Sequence, residues 1–199
     1  MTSNPSAKPA TAAALAPLVL AAMIVLAALS RLLPHPPNFS PVEAMALFGG
    51  AWYASRRVAL LVPLAAMLAS DLALAWVHGG QYLDYFTSAD FWLVYLAIAA
   101  CTALGFGLRG RVRAPRVLGF ALAGSLLFFM ITNFGAWLAD IGSAHSIYAA
   151  NLSGLAAAYV AGIPFFQNTV AGSLFFSAVL FGGFELLRRY VPALRAQPA

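Results

Sequence analysis

Five stretches of about twenty mostly apolar residues run through this chain, near 11–33, 58–77, 91–108, 117–138 and 167–187. Crossing about 30 Å of hydrocarbon at 1.5 Å per residue takes a helix of about 20 residues, so each is long enough to span a bilayer. A water-soluble fold has no means of hiding them. Of the 199 residues 62% are hydrophobic and 9% charged, against about 25% charged in a soluble domain. A soluble enzyme, a nucleic-acid-binding module and a disordered chain are thereby excluded. The basic balance does not reverse this, because the 11 Lys and Arg residues are not interleaved with exposed aromatics. The single cysteine, Cys101, says nothing about redox compartment. The sequence reads as an all-α integral membrane protein whose partner is the lipid bilayer, with no nucleic acid.

Two further apolar pieces are shorter. Residues 41–55 can complete a crossing if the extended Pro34–Asn38 stretch dips into the protein, where its backbone polar groups find partners. Residues 152–166 lie between Asn151 and Pro164 and read as a short outer or re-entrant helix. Six transmembrane helices plus that extra helix are expected. They form one membrane domain over 10–190, between a disordered tail at 1–9 and a second cytoplasmic tail at 191–199.

Charge placement supports an even count. Arg56 and Arg57, then Arg109, Arg111, Arg113 and Arg116, then Arg188, Arg189 and Arg195, with Lys8, all fall on one side of a six-span chain. The alternate loops near 34–40, 78–90 and 139–166 hold no Lys or Arg. Positive residues stay cytoplasmic, so both termini are expected inside a bacterial cytoplasmic (inner) membrane. Arg31, at the outer end of the first span, is the exception.

Polar side chains gather toward the outer side. His35, Asn38, Tyr85 and Asp90 sit in outward loops, Glu43 opens the second span, and Asn168 opens the sixth. Asp71 lies inside the third span and Asn133 inside the fifth, where an ionisable group costs about 2.5–3.5 kcal/mol and normally faces a cavity or a partner. With Phe39 they outline apolar walls carrying a few placed polar groups, the general form of a small-molecule site. The competing readings are ordinary. Trp76, Trp92 and Trp137 fit an interfacial belt, and Asp71 can hydrogen-bond Asn133 or Ser70 as interhelical glue. Alanines at four-residue spacing, such as Ala65, Ala69 and Ala73, serve close packing or the docking of another subunit. No P-loop, HExxH, paired CxxC or GxSxG motif occurs, so neither catalysis nor a metal or other cofactor is expected.

Four blocks carry a resemblance: Leu33-Pro-His-Pro-Pro-Asn-Phe-Ser-Pro-Val-Glu-Ala-Met-Ala-Leu-Phe-Gly-Gly-Ala51, Ser70-Asp71-Leu72, Ile131-Thr-Asn-Phe-Gly-Ala-Trp137 and Gly162-Ile-Pro-Phe-Phe-Gln-Asn-Thr169. They resemble an uncharacterised family of bacterial transport-type proteins over about residues 30–190. That family is similar to the S components of energy-coupling-factor vitamin transporters. The resemblance implies a six-helix S-component-like bundle, a vitamin bound from the periplasmic side, and an energising module or independent action. The site residues expected from the outer polar and aromatic positions are His35, Asn38, Phe39, Asp71, Tyr85, Asn133 and Asn168. The solitary cobalamin S component suggests cobalamin or another corrinoid as cargo. Its cobalt-ligating cysteine has no counterpart here, because Cys101 lies too deep, and His35 would have to serve instead. The alternative reading is an intramembrane enzyme modifying a lipid or cofactor with Glu43, Asp71 and His35 as acid–base groups.

Overall fold

The computed structural model describes residues 9–79 and 86–195, with side chains from Leu15 onward. Among these residues there is no strand. Helix α1 covers Pro9–Leu29, α2 Val42–Trp52, α3 Arg56–His78, α4 Ala89–Gly105, α5 Ala114–Ile141 and α6 Leu152–Ser177. A π-turn, Ala178–Gly182, joins α6 to α7, Gly183–Tyr190. Five helical stretches are long and apolar enough to cross a bilayer, and the chain is a multi-pass membrane protein.

The helix starts follow local chemistry. Ser55, Ser88 and Asn151 are N-caps whose side chains accept from Val58, Phe91 and Gly154 backbone N–H groups. Gly79 closes α3 at φ +76°, a left-handed conformation open to glycine. Pro115 stands in the first turn of α5, where a missing N–H removes no helical bond.

The exception to the spanning length is α2. Its 11 residues rise about 16 Å, half of a hydrocarbon core, and every one of them is buried. It stands on the bundle axis, wrapped by α1, α3, α4, α5 and α6. Its C-terminal end meets the arginine-rich end of the bundle: Arg109 donates to the Gly50 and Tyr53 carbonyls at 2.9 and 2.7 Å. Its N-terminal end stops short of the other end, and the extended stretch 33–41 covers the rest of the distance. Glycine makes the central position accessible. A Cβ on Gly105 would fall 2.6 Å from the Leu47 carbonyl oxygen, and one on Gly50 would overlap Thr102 O.

Two expectations change. Residues 152–166 are not a separate outer or re-entrant helix; they are the first half of α6, which runs on as 39 continuous helical residues to Tyr190. Pro164 removes one backbone N–H, yet a membrane helix absorbs that loss through neighbouring groups, and the Asn151 cap has already started the helix. At about 58 Å this helix is nearly twice the hydrocarbon thickness. The α5–α6 hairpin continues past Gly135, where α5 touches Asp90 and Leu93 at the start of α4. The second change concerns the end of the chain. Residues 192–194 form a 3-10 turn that packs on α1 with Leu194 buried, and Arg195 donates to the Arg188 and Arg189 carbonyls. The expected tail at 1–9 lies almost wholly outside the described residues.

Gly105→Ala should lower the unfolding temperature of the detergent-solubilised protein, at a cost of about 1–3 kcal/mol for overpacking. Gly119→Ala, where an added Cβ meets nothing within 4 Å, should leave it unchanged or slightly raised.

Candidate functional site

Because α2 stops short, the arginine-poor end of the bundle is hollow. A half-open cavity of about 390 Å³ lies above the N-terminus of α2. Every helix from α1 to α6 borders it or leads directly into it. Ser40, Val42 and Glu43 contribute the floor, Met67 and Leu74 of α3 and Val94 of α4 one wall, and Phe128, Phe129, Thr132 and Asn133 of α5 the other. Its volume lies in the low part of the range for small-molecule sites.

The cation at the cavity edge is Arg31, just beyond α1. Its Nη1 donates to Asp71 Oδ1 at 2.7 Å and also to Ser70 Oγ; Asp71 is fully enclosed, and the Arg31 side chain keeps 14% of its surface exposed. Tyr95 of α4 donates to the second Asp71 oxygen at 2.9 Å. Both carboxylate oxygens are therefore engaged, and three helices are tied at one point. Arg31 faces the cavity; Asp71 stands behind it and is not among the lining residues. The one arginine that violates the charge bias and the one carboxylate deep in a span thus answer each other.

Glu43 is the opposite case. It is 1% exposed, lines the cavity, and its Oε2 has no hydrogen-bond partner. A buried carboxyl oxygen without a donor costs about 1–3 kcal/mol or more, and more when charged. A ligand N–H or O–H entering from above would satisfy it.

The covering segment is fastened to α6. Asn168 Nδ2 donates to the Pro37 carbonyl at 2.9 Å, and the Phe39 ring packs on Phe175 and Phe176. Gly172 lets the chain pass: a Cβ there would sit 2.7 Å from Ser40 N. Asn38 adopts φ +62°, a left-handed conformation that asparagine tolerates better than most residues. At the rim His35 Nδ1 lies 2.9 Å from the Pro36 carbonyl. A carbonyl only accepts, so in the neutral ring the proton is on Nδ1 and Nε2 remains an acceptor.

Of the expected site residues, the structure brings His35, Asn38 and Asn133 to the cavity. Asp71 holds Arg31 in place, while Phe39 and Asn168 anchor the covering segment to α6. Tyr85 lies outside the described residues. The lining residues that sequence reasoning passed over include Arg31 and Thr169, while Asp90 and Glu43 were seen among the outer polar groups without being singled out as ligand contacts. Arg31 carried a signal, since a lone cation at the arginine-free end needs a buried counter-charge, and Asp71 is the intramembrane carboxylate available. No group of three or more His, Cys, Asp or Glu suited to a metal ion occurs among the described residues.

A second groove, of about 490 Å³, opens at the arginine-rich end between α5 and the π-turn. Its lining is mostly apolar, which separates it from the polar cavity.

The fold and the cavity define a class: a multi-pass helical membrane protein with a half-open polar chamber at one end. Over residues 11–194 the chain matches, and belongs to, a family of unknown function, DUF6580. No curated protein matches it, and no solved structure does.

Asp71→Ala should cost about 3 kcal/mol, the low end for a broken buried pair, because it leaves the part-buried Arg31 charge unpaired. The double variant Arg31→Met with Asp71→Leu should recover most of that loss, read as thermal unfolding in detergent.

Proposed function

We propose that this protein captures a vitamin-sized polar molecule from the non-cytoplasmic side of a bacterial inner membrane, in the manner of an S component. The observation that carries the reading is the Glu43 carboxyl, buried at the floor of a half-open cavity with one oxygen free. Such a group is unfavourable in the empty protein and becomes paired when a ligand supplies a donor. Asn133 and Asn38 offer amide groups beside it, and Arg31, held by Asp71, presents its remaining N–H groups to a ligand carbonyl or carboxylate. Phe128 and Phe129 provide apolar wall. Movement of the bound cargo then needs either an energising module or a rearrangement of this chain alone.

A corrinoid is the cargo that the resemblance implies. A cavity of about 390 Å³ would seat one edge of a corrin ring and leave the rest above the rim, with His35 Nε2 as the available cobalt ligand. The enzymatic alternative has less support. Asp71, one of its three acid–base groups, has both oxygens committed to Arg31 and Tyr95 and does not line the cavity.

Calorimetry on the purified protein in detergent, with a vitamin panel that includes cobalamin and its base-free precursor, tests this. One compound should bind one-to-one with submicromolar affinity. Asn133→Ala and Glu43→Gln should each weaken it about tenfold or more, with k_off rising, as expected when a partner of a buried hydrogen bond is removed. A folded protein that binds nothing on the panel overturns the proposal.

Orientation has its own test. With Cys101 buried and silent, Ser143→Cys should react with a membrane-impermeant maleimide in intact spheroplasts. Arg111→Cys should react only after lysis.

A further inference from the structure

We propose that the groove at the arginine-rich end is a site for one anionic phospholipid, with an acyl chain along the groove and the phosphate at its arginine mouth. The groove lies between the first turns of α5 and the π-turn that follows α6, and holds about 490 Å³. Its body is apolar, formed by residues such as Val117, Leu118, Leu174 and Phe181. The π-turn has a physical part in making it. Five residues, Ala178–Gly182, take a wider turn than an α-helix allows, and Ala178 and Gly182 present little side chain to fill the space beside α5.

Two polar features distinguish this groove from plain lipid-facing surface. Ser177 is 3% exposed and lines the groove, yet its Oγ has no hydrogen-bond partner. A helical serine normally returns its hydroxyl proton to a carbonyl one turn back. This one is left for an ester or phosphate oxygen of an occupant. Arg113 lines the mouth; Arg111 precedes it, Arg116 lies one turn on and donates to the Gly107 carbonyl at 3.0 Å, and none of the three meets a carboxylate among the described residues. Arg116 Nε is buried without a partner. The one acid in the lining, Glu185, is already paired with Arg188 at 3.2 Å. The mouth therefore carries uncompensated positive charge, which a phosphate would neutralise.

Chain and headgroup have different roles. Lipid tails are as apolar as the groove, so burial of an acyl chain there gives no selectivity over the surrounding bilayer. Selection comes from the charged mouth, and juxtamembrane arginines favour anionic headgroups.

Native mass spectrometry of the full-length protein, titrated with phosphatidylglycerol and with phosphatidylcholine of the same chains, reads the site directly. One phosphatidylglycerol should be retained with about tenfold or greater preference. The double variant Arg113→Gln with Arg116→Gln should bring the two lipids to near parity. Ala178→Phe, which fills the groove from its exposed side, should reduce retention of both, with the unfolding temperature of the lipid-free protein unchanged. Equal retention of the two lipids by the unaltered protein overturns the proposal. So does a preference that survives both sets of variants, a polypeptide bound in place of lipid, or equal protection by glycerol phosphate alone.

Discussion

An eleven-residue helix on the axis of a membrane bundle leaves half a bilayer thickness unaccounted for, and the remaining elements arrange themselves around that deficit. α2 is buried on all sides, so its neighbours must approach closely, and glycines at 49, 50 and 105 make the approach possible. Above its N-terminus the five longer helices enclose space that no helix fills. The chain reaches that level as an extended Pro-rich stretch, whose polar backbone is tolerated because it lines a cavity and not lipid. Cavity, covering segment and unpartnered floor carboxyl all follow from the shortness of α2.

The two ends of the molecule are built on different electrostatic terms. At the arginine-rich end most cations are solvent-facing, and they donate to backbone carbonyls or stack on aromatic rings, as Arg109 does over Phe106 at 4.3 Å. At the other end the one arginine is part-buried at the cavity edge and paired with an enclosed carboxylate. A charge held at that depth is stable only in company, and the company comes from α3 and α4 together. The same contact fixes the angle at which the cavity walls meet. Alteration of Asp71 is therefore expected to change the shape of the site without touching a ligand.

Much of the architecture was legible in the sequence because the bilayer imposes it. Spanning length, the bias of arginines and the short second apolar piece follow from hydrocarbon thickness and the cost of moving charge. The continuity of α6 was not legible: Asn151 and Pro164 both look like boundaries, and only the packing of α5 against α6 shows that the helix runs through the proline. Phe39 was recognisable by its place in the Pro-rich stretch, and Asn168 by its place at the outer start of the expected sixth span. Whether such residues face a ligand or hold a loop depends on a few ångströms of backbone path that periodicity does not encode. Glu43 was visible as an acid in an apolar run, yet its unpartnered oxygen is a property of the assembled bundle.

The Arg31–Asp71 contact spans 40 residues of sequence, and that separation bears on how the protein is made. α1 is made before α3 and carries a positive charge near each end, Lys8 and Arg31, so charge bias alone gives that helix no clear orientation. Its counter-charge emerges only when α3 has been synthesised. Until then an uncompensated guanidinium sits at the margin of the hydrocarbon. Asp71, translated 40 residues later, supplies that counter-charge, so the placing of one helix depends on a residue that follows it in the chain.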